Sequence, residues 1–145
     1  MFIAGCGGGG SGGGGGDPTI TNAETPTITK QPESRIYNPG NTARPLVVET
    51  SVSGGGGLSY QWYSNTENET NGTQIDDETA NTFTPSTATE GTFFYYVIVT
   101  NTNNSVNGNK TESVTSNAAK IIVSNTSEGY YNVSFYDDQL DFIET

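Results

Sequence analysis

The 145-residue sequence has no histidine and a single cysteine, Cys6. Without histidine, neither a Ser-His-Asp nor a Cys-His relay can be assembled, and HExxH and the other His-bearing zinc arrangements are excluded. One cysteine rules out an intrachain disulfide and a thiolate cage for zinc or an iron–sulfur cluster. Basic side chains are also scarce, five against sixteen acidic ones, for a formal charge of −11. A chain so charged repels phosphate backbones and anionic lipid headgroups, so nucleic acid is not expected as a partner. Apolar residues make up only 31% of the chain, and no segment shows helical periodicity.

Thr, Ser and Asn fill 50 of the 145 positions, yet fifteen aromatic residues concentrate in a few short runs. Disordered chains lack that aromatic bulk, so the pattern predicts one small all-β domain with polar loops. Residues 1–17, MFIAGCGGGGSGGGGGD, hold ten of the nineteen glycines and have the composition of a flexible tether. Gly5, Gly7 and Gly10 spell GxGxxG, but no strand pattern precedes them and no helix pattern follows, so the dinucleotide reading fails in context. Residues 18–27 read as a linker, with Pro18 and Pro26 confining this stretch to a linker or an edge strand.

The strand signals follow. RPLVVETSV places Leu46, Val48, Thr50 and Val52 on one face, and LSYQWYSN sets Tyr60 and Trp62 opposite Gln61 and Tyr63. TQID and NTFTPS read as two short strands carrying Ile75 and Phe83 inward. GTFFYYVIVTN is the longest apolar run, and in NAAKIIV the residues Ala119, Ile121 and Val123 alternate with Lys120 and Ile122. About seven strands spaced by roughly 8–12 residues form the pattern of a β-sandwich.

From about Ile28 to Val123 these runs resemble an immunoglobulin-like domain of the bacterial cell-surface kind. YQWY resembles its strand C with the core tryptophan at Trp62, and GTFFYYVIVTN its strand F. That match puts the corner tyrosine at Tyr95, an asparagine at Asn101 and an aliphatic residue, Val97, where the second core cysteine stands. Leu46 to Val52 resembles strand B, with Val48 at or near the first cysteine position, and NAAKIIV resembles the closing strand G. The resemblance implies an immunoglobulin-like domain over residues 28–124 without the core disulfide. Its core is expected around Val48, Trp62, Tyr95 and Val97, and the Tyr95 hydroxyl should bond back to backbone between Thr87 and Gly91.

Phe2-Ile3-Ala4-Gly5-Cys6 resembles the end of a lipobox, which implies lipidation of Cys6 after signal cleavage, although only five residues precede the cysteine. The competing reading is an exposed thiol in a tail. Residues 125–145, with GYYNVSFYDDQLDFIET, resemble the opening hairpin of an internalin-type B-repeat; packing back onto the sandwich as an extra strand is the other possibility.

Asp76, Asp77 and Glu78 form the densest acidic cluster. They lack the spacing of a calcium loop, and a solvated turn explains them as well. The other carboxylates are too scattered to single out a pair for glycoside hydrolysis. Strand alternation sets Tyr63, Phe94, Tyr96 and Ile98 on the face opposite Trp62, Tyr95 and Val97, so Tyr63, Phe94 and Tyr96 are candidates for an exposed binding face. Six N-x-S/T sequons, at Asn68, Asn71, Asn103, Asn109, Asn125 and Asn132, are read as a product of composition.

The resulting expectation is a non-enzymatic spacer module of a larger bacterial surface protein, extracellular at the cell surface or outer membrane. Its membrane contact would be a lipid at Cys6, its neighbours other domains of the same chain, and it would use no metal or cofactor. The alternative is an adhesive module that binds host protein or glycan through the Tyr63, Phe94 and Tyr96 face or through the loops at Gly54–Gly57 and Asn101–Asn109.

Overall fold

The computed structural model describes residues 18–125. These form an all-β unit with no helix and ten strands: β1 (Thr27–Lys30), β2 (Arg35–Tyr37), β3 (Leu46–Val47), β4 (Glu49–Ser51), β5 (Gly57–Asn65), β6 (Thr73–Gln74), β7 (Thr82–Phe83), β8 (Gly91–Thr102), β9 (Thr111–Thr115) and β10 (Ala119–Val123). The largest sheet has the order β2-β10-β8-β5-β6, with β9 also pairing β8, while β1-β4 and β3-β7 form two separate ladders. All pairings are antiparallel except β2 with β10. The arrangement is consistent with a β-sandwich.

Ten strands stand where about seven are expected, in part because runs that could each form one strand are divided. The RPLVVETSV run breaks at Val48, whose N–H bonds Asn81 O at 3.0 Å while β3 pairs β7 and β4 pairs β1. The run ESVTSNAAKIIV is likewise divided between Thr115 and Ala119, where Ser116 takes over part of the ladder. Its N–H donates to Val97 O at 2.9 Å, and its Oγ accepts from Val97 N–H at 3.0 Å. The buried backbone of Val97 stays paired through the kink, as such groups must.

The core follows the period-two pattern. Leu46, Val48, Trp62, Phe83, Tyr95, Val97, Val99, Ala119, Ile121 and Val123 form one buried cluster, with Ile28, Tyr60, Ile75 and Phe93 packed against it. Register explains the shared face: Trp62 lies opposite Val97, Tyr60 opposite Val99, and Ala119 opposite Tyr95. Phe83 sits between two rings, 5.6 Å from Trp62 and 5.0 Å from Tyr95. Trp62 is wholly buried, and its indole N–H donates to Ala80 O at 2.9 Å, so burial leaves no orphan donor.

Residues 18–27, read above as a linker, contain no strand before Thr27 but are bonded to the domain from Thr19 onward. The composition is that of a linker, but the asparagine side chains facing this segment determine its conformation.

Candidate functional site

Two places bear on function: the outer face of the largest sheet, and the end of the domain where the loops at 53–57 and 103–110 meet the N-terminal segment.

On the outer face, Tyr63 lies opposite Tyr96, and their rings stack 5.1 Å apart at 8°. Tyr96 is only 2% exposed, where the sequence predicts a solvent-facing ring. Its hydroxyl accepts from Gly72 N–H at 2.9 Å, so the loop before β6 folds over it while Tyr63 covers its flank. Alternation assigns Tyr96 to the outer face, but the chain itself covers that part of the face. Tyr63 and Phe94 are half-buried, and the most exposed large apolar side chain of this face is Ile36 on β2, at 62%.

Tyr95 departs from its expected role as well. It is buried, and burial raises its pKa above the ordinary tyrosine value. The expected bond from its hydroxyl to Thr87–Gly91 is not formed among the described residues. That region is held from another side, by Thr87 Oγ1 donating to Asn41 O and Thr87 O accepting from Gly40 N–H at 2.9 Å. Cys6 lies outside the described residues, as does the hairpin-like pattern GYYNVSFYDDQLDFIET at 129–145. Asp76, Asp77 and Glu78 form a turn below β6, with Glu78 N–H donating to Ile75 O. No cluster of three or more potential metal ligands occurs among the described residues.

The loop end is an asparagine network. Asn101, wholly buried on β8, donates from Nδ2 to Glu24 O at 2.9 Å and Gly55 O at 3.2 Å, while its Oδ1 has no hydrogen-bond partner. Asn103 Nδ2 donates to Gly54 O at 3.0 Å. Gly56 adopts φ +114°, and a side chain there would run into Asn101 Oδ1, so both the backbone conformation and the close approach require glycine. The Glu24 carboxylate accepts from Ser53 Oγ at 2.5 Å and Gly54 N–H at 2.7 Å, which holds its pKa below the usual carboxylate value, the Ser53 bond contributing most.

Upstream, the chain from Thr19 to Ala23 runs along the turn 107–109. Asn107 clamps its backbone from both sides, with Oδ1 accepting from Thr21 N–H at 2.7 Å and Nδ2 donating to Thr19 O at 3.1 Å. Gly108 N–H donates to Thr21 O at 2.8 Å and Ala23 N–H to Asn109 O at 2.7 Å. Asn22 Oδ1 accepts from Asn109 N–H at 2.8 Å. A side chain at Gly108 would collide with Asn22 and Ile20.

The sequence reading treats 101–109 as a loop that could bind a partner, but it misses Asn22, Glu24 and Asn107 as the residues that occupy and close it. Only Asn107 has a sequence signal, the density of asparagine in NTNNSVNGN.

In comparisons with known proteins, no family model matches the chain, and no curated protein and no solved structure is similar to it.

Proposed function

We propose that residues 28–124 form an immunoglobulin-like β-sandwich that serves as a non-enzymatic spacer in a larger bacterial surface protein, lipid-anchored through Cys6. The strand order supports the fold reading. With β5 as strand C, β8 as strand F and β9–β10 as strand G, the largest sheet carries β2 beside G, while β1, β4, β3 and β7 supply the A, B and E positions of the opposite layer.

The self-covered aromatic face carries the spacer reading. Tyr96, the ring best placed to anchor a partner, is spent inside the protein under Tyr63 and the Gly72 loop. Anchors for a partner are aromatic side chains presented at a surface, and here Tyr96 is taken up by contacts within the domain instead. The adhesive reading requires partner binding through Tyr63 and Phe94. The spacer reading predicts no saturable binding of the chain to glycan or matrix-protein arrays. Saturable binding that disappears in a still-folded Tyr63→Ser or Phe94→Ser variant would replace the spacer by the adhesin. The anchoring half is tested by metabolic labelling with a palmitate analogue, which Cys6→Ser is expected to abolish.

A further inference from the structure

We propose that the groove formed by Ser53–Gly54, Asn101 and Asn107–Asn109 is a binding site for an extended peptide strand of the type Asn-Ala-Glu, filled here by the chain's own residues 19–24 and able to accept the same segment of a second copy.

The groove recognises an extended backbone. Asn107 pairs with both the N–H of Thr21 and the carbonyl of Thr19, and Gly108 N–H and Asn109 O take the next carbonyl and N–H, at Thr21 and Ala23. Strand addition works through such main-chain bonds, with side-chain sites supplying the selectivity. Three such sites follow in register. Asn109 N–H reads Asn22 Oδ1; the buried position of Ala23 admits only a small side chain; Ser53 Oγ and Gly54 N–H read the Glu24 carboxylate. Asn101 closes the end by donating to Glu24 O.

The segment is held by hydrogen bonds with almost no apolar anchor. Ala23 is its one buried side chain before Pro26, and Ile20 stands 74% exposed. It precedes β1, the first strand of the unit, so it can leave without breaking a ladder. An element that leaves its own groove fits the identical groove of another copy, which is the physical basis of segment exchange between protomers. The partner is therefore a second copy of this chain, joined through residues 19–24, and this proposal stands independently of the spacer reading.

The test is complementation between two full-length variants. Ala23→Pro removes the N–H that reaches Asn109 and disables the segment but leaves the groove. Asn107→Ala disables the groove but leaves the segment. Analytical ultracentrifugation of the 1:1 mixture is expected to show at least tenfold more two-copy species than either variant alone. In the mixture, the Gly54, Gly108 and Asn109 amides of the isotope-labelled Ala23→Pro chain should shift toward their positions in the unaltered chain. A mixture of folded variants that stays monomeric, with those amides unmoved at millimolar concentration, overturns the proposal. So does equal assembly when the groove-disabled chain also carries Asn22→Ala and Glu24→Gln, because a site for Asn-Ala-Glu must lose that segment. If Ala23→Pro does not fold, as judged by Trp62 emission, Asn22→Ala with Glu24→Gln replaces it as the disabled segment and is read in the same way.

Discussion

Glu24 is exposed to solvent and still titrates below the ordinary carboxylate range, because its ionised form accepts hydrogen bonds from Ser53 Oγ and Gly54 N–H. A group whose folded pKa is depressed stabilises the folded arrangement above its unfolded pKa and loses that contribution as pH falls through the folded value. For Glu24 the contribution is full above about pH 4.5 and is lost progressively below it, as pH falls through the depressed folded value. Hydrogen exchange at Gly54 and Ala23 should therefore accelerate below pH 4.5 relative to exchange in the middle of β8. In Glu24→Gln that extra pH dependence should vanish. Equal acceleration in the variant would assign the effect to other carboxylates. Trp62 and Val97 are readable because a buried side chain in a strand obeys a period of two, and β5 and β8 are long enough to display it. Tyr96 obeys the same period but is covered by Gly72 and Tyr63, which depends on loop geometry rather than on alternation.

At the scale of elements, the short turn from Ile75 to Glu78 joins β6 to the segment that closes over Trp62. Trp62 N–H donates to Glu78 O at 3.0 Å, and Ile75 N–H donates to Trp62 O at 2.9 Å. Between them Asp77 takes φ +64°, the one described non-glycine residue in the left-handed region. Aspartate tolerates this conformation better than most residues but still bears a cost that glycine avoids. Asp77 also stands between Asp76 and Glu78, whose charges repel it. Asp77→Gly removes both penalties while adding backbone freedom to the unfolded chain, so the expected gain is modest, roughly 0.5–1 kcal/mol. Urea unfolding followed by Trp62 emission checks it, with a higher midpoint at unchanged slope as the expected result. A lower midpoint would mean that the Asp77 side chain holds the turn together. The element pattern further explains why the strand at 46–52 reads as continuous while the structure divides it. The apolar alternation persists through Val48, but β3 and β4 pair with different neighbours. The segment 19–24 has no period to read at all, since asparagine side chains rather than a buried face position it.

Over the described part of the molecule, ten carboxylates face five basic side chains. Five of the carboxylates, Glu67, Glu69, Asp76, Asp77 and Glu78, fall in one twelve-residue stretch with no basic residue between Arg44 and Lys110. Two ion pairs offset this excess, Lys30–Glu49 at 3.3 Å and Arg35–Glu33 at 2.5 Å, and their side chains are substantially exposed. Exposed pairs contribute about 0–1 kcal/mol each and are themselves weakened by salt. Repulsion among the unpaired carboxylates acts over longer distances and is screened once the Debye length shrinks from roughly 30 Å at 0.01 M salt to about 8 Å at 0.15 M. Unfolding spreads these charges apart, so the compact state bears more of the repulsion and gains more from screening. The urea midpoint should therefore rise as sodium chloride increases across that range, with Trp62 emission as the probe. Glu67→Gln with Glu69→Gln should flatten the dependence by thinning the densest stretch, whereas removing the Lys30–Glu49 pair should not. A midpoint that falls with salt would mean that the two pairs outweigh the excess charge, and the acidic loop would then have to be better compensated than its surroundings allow.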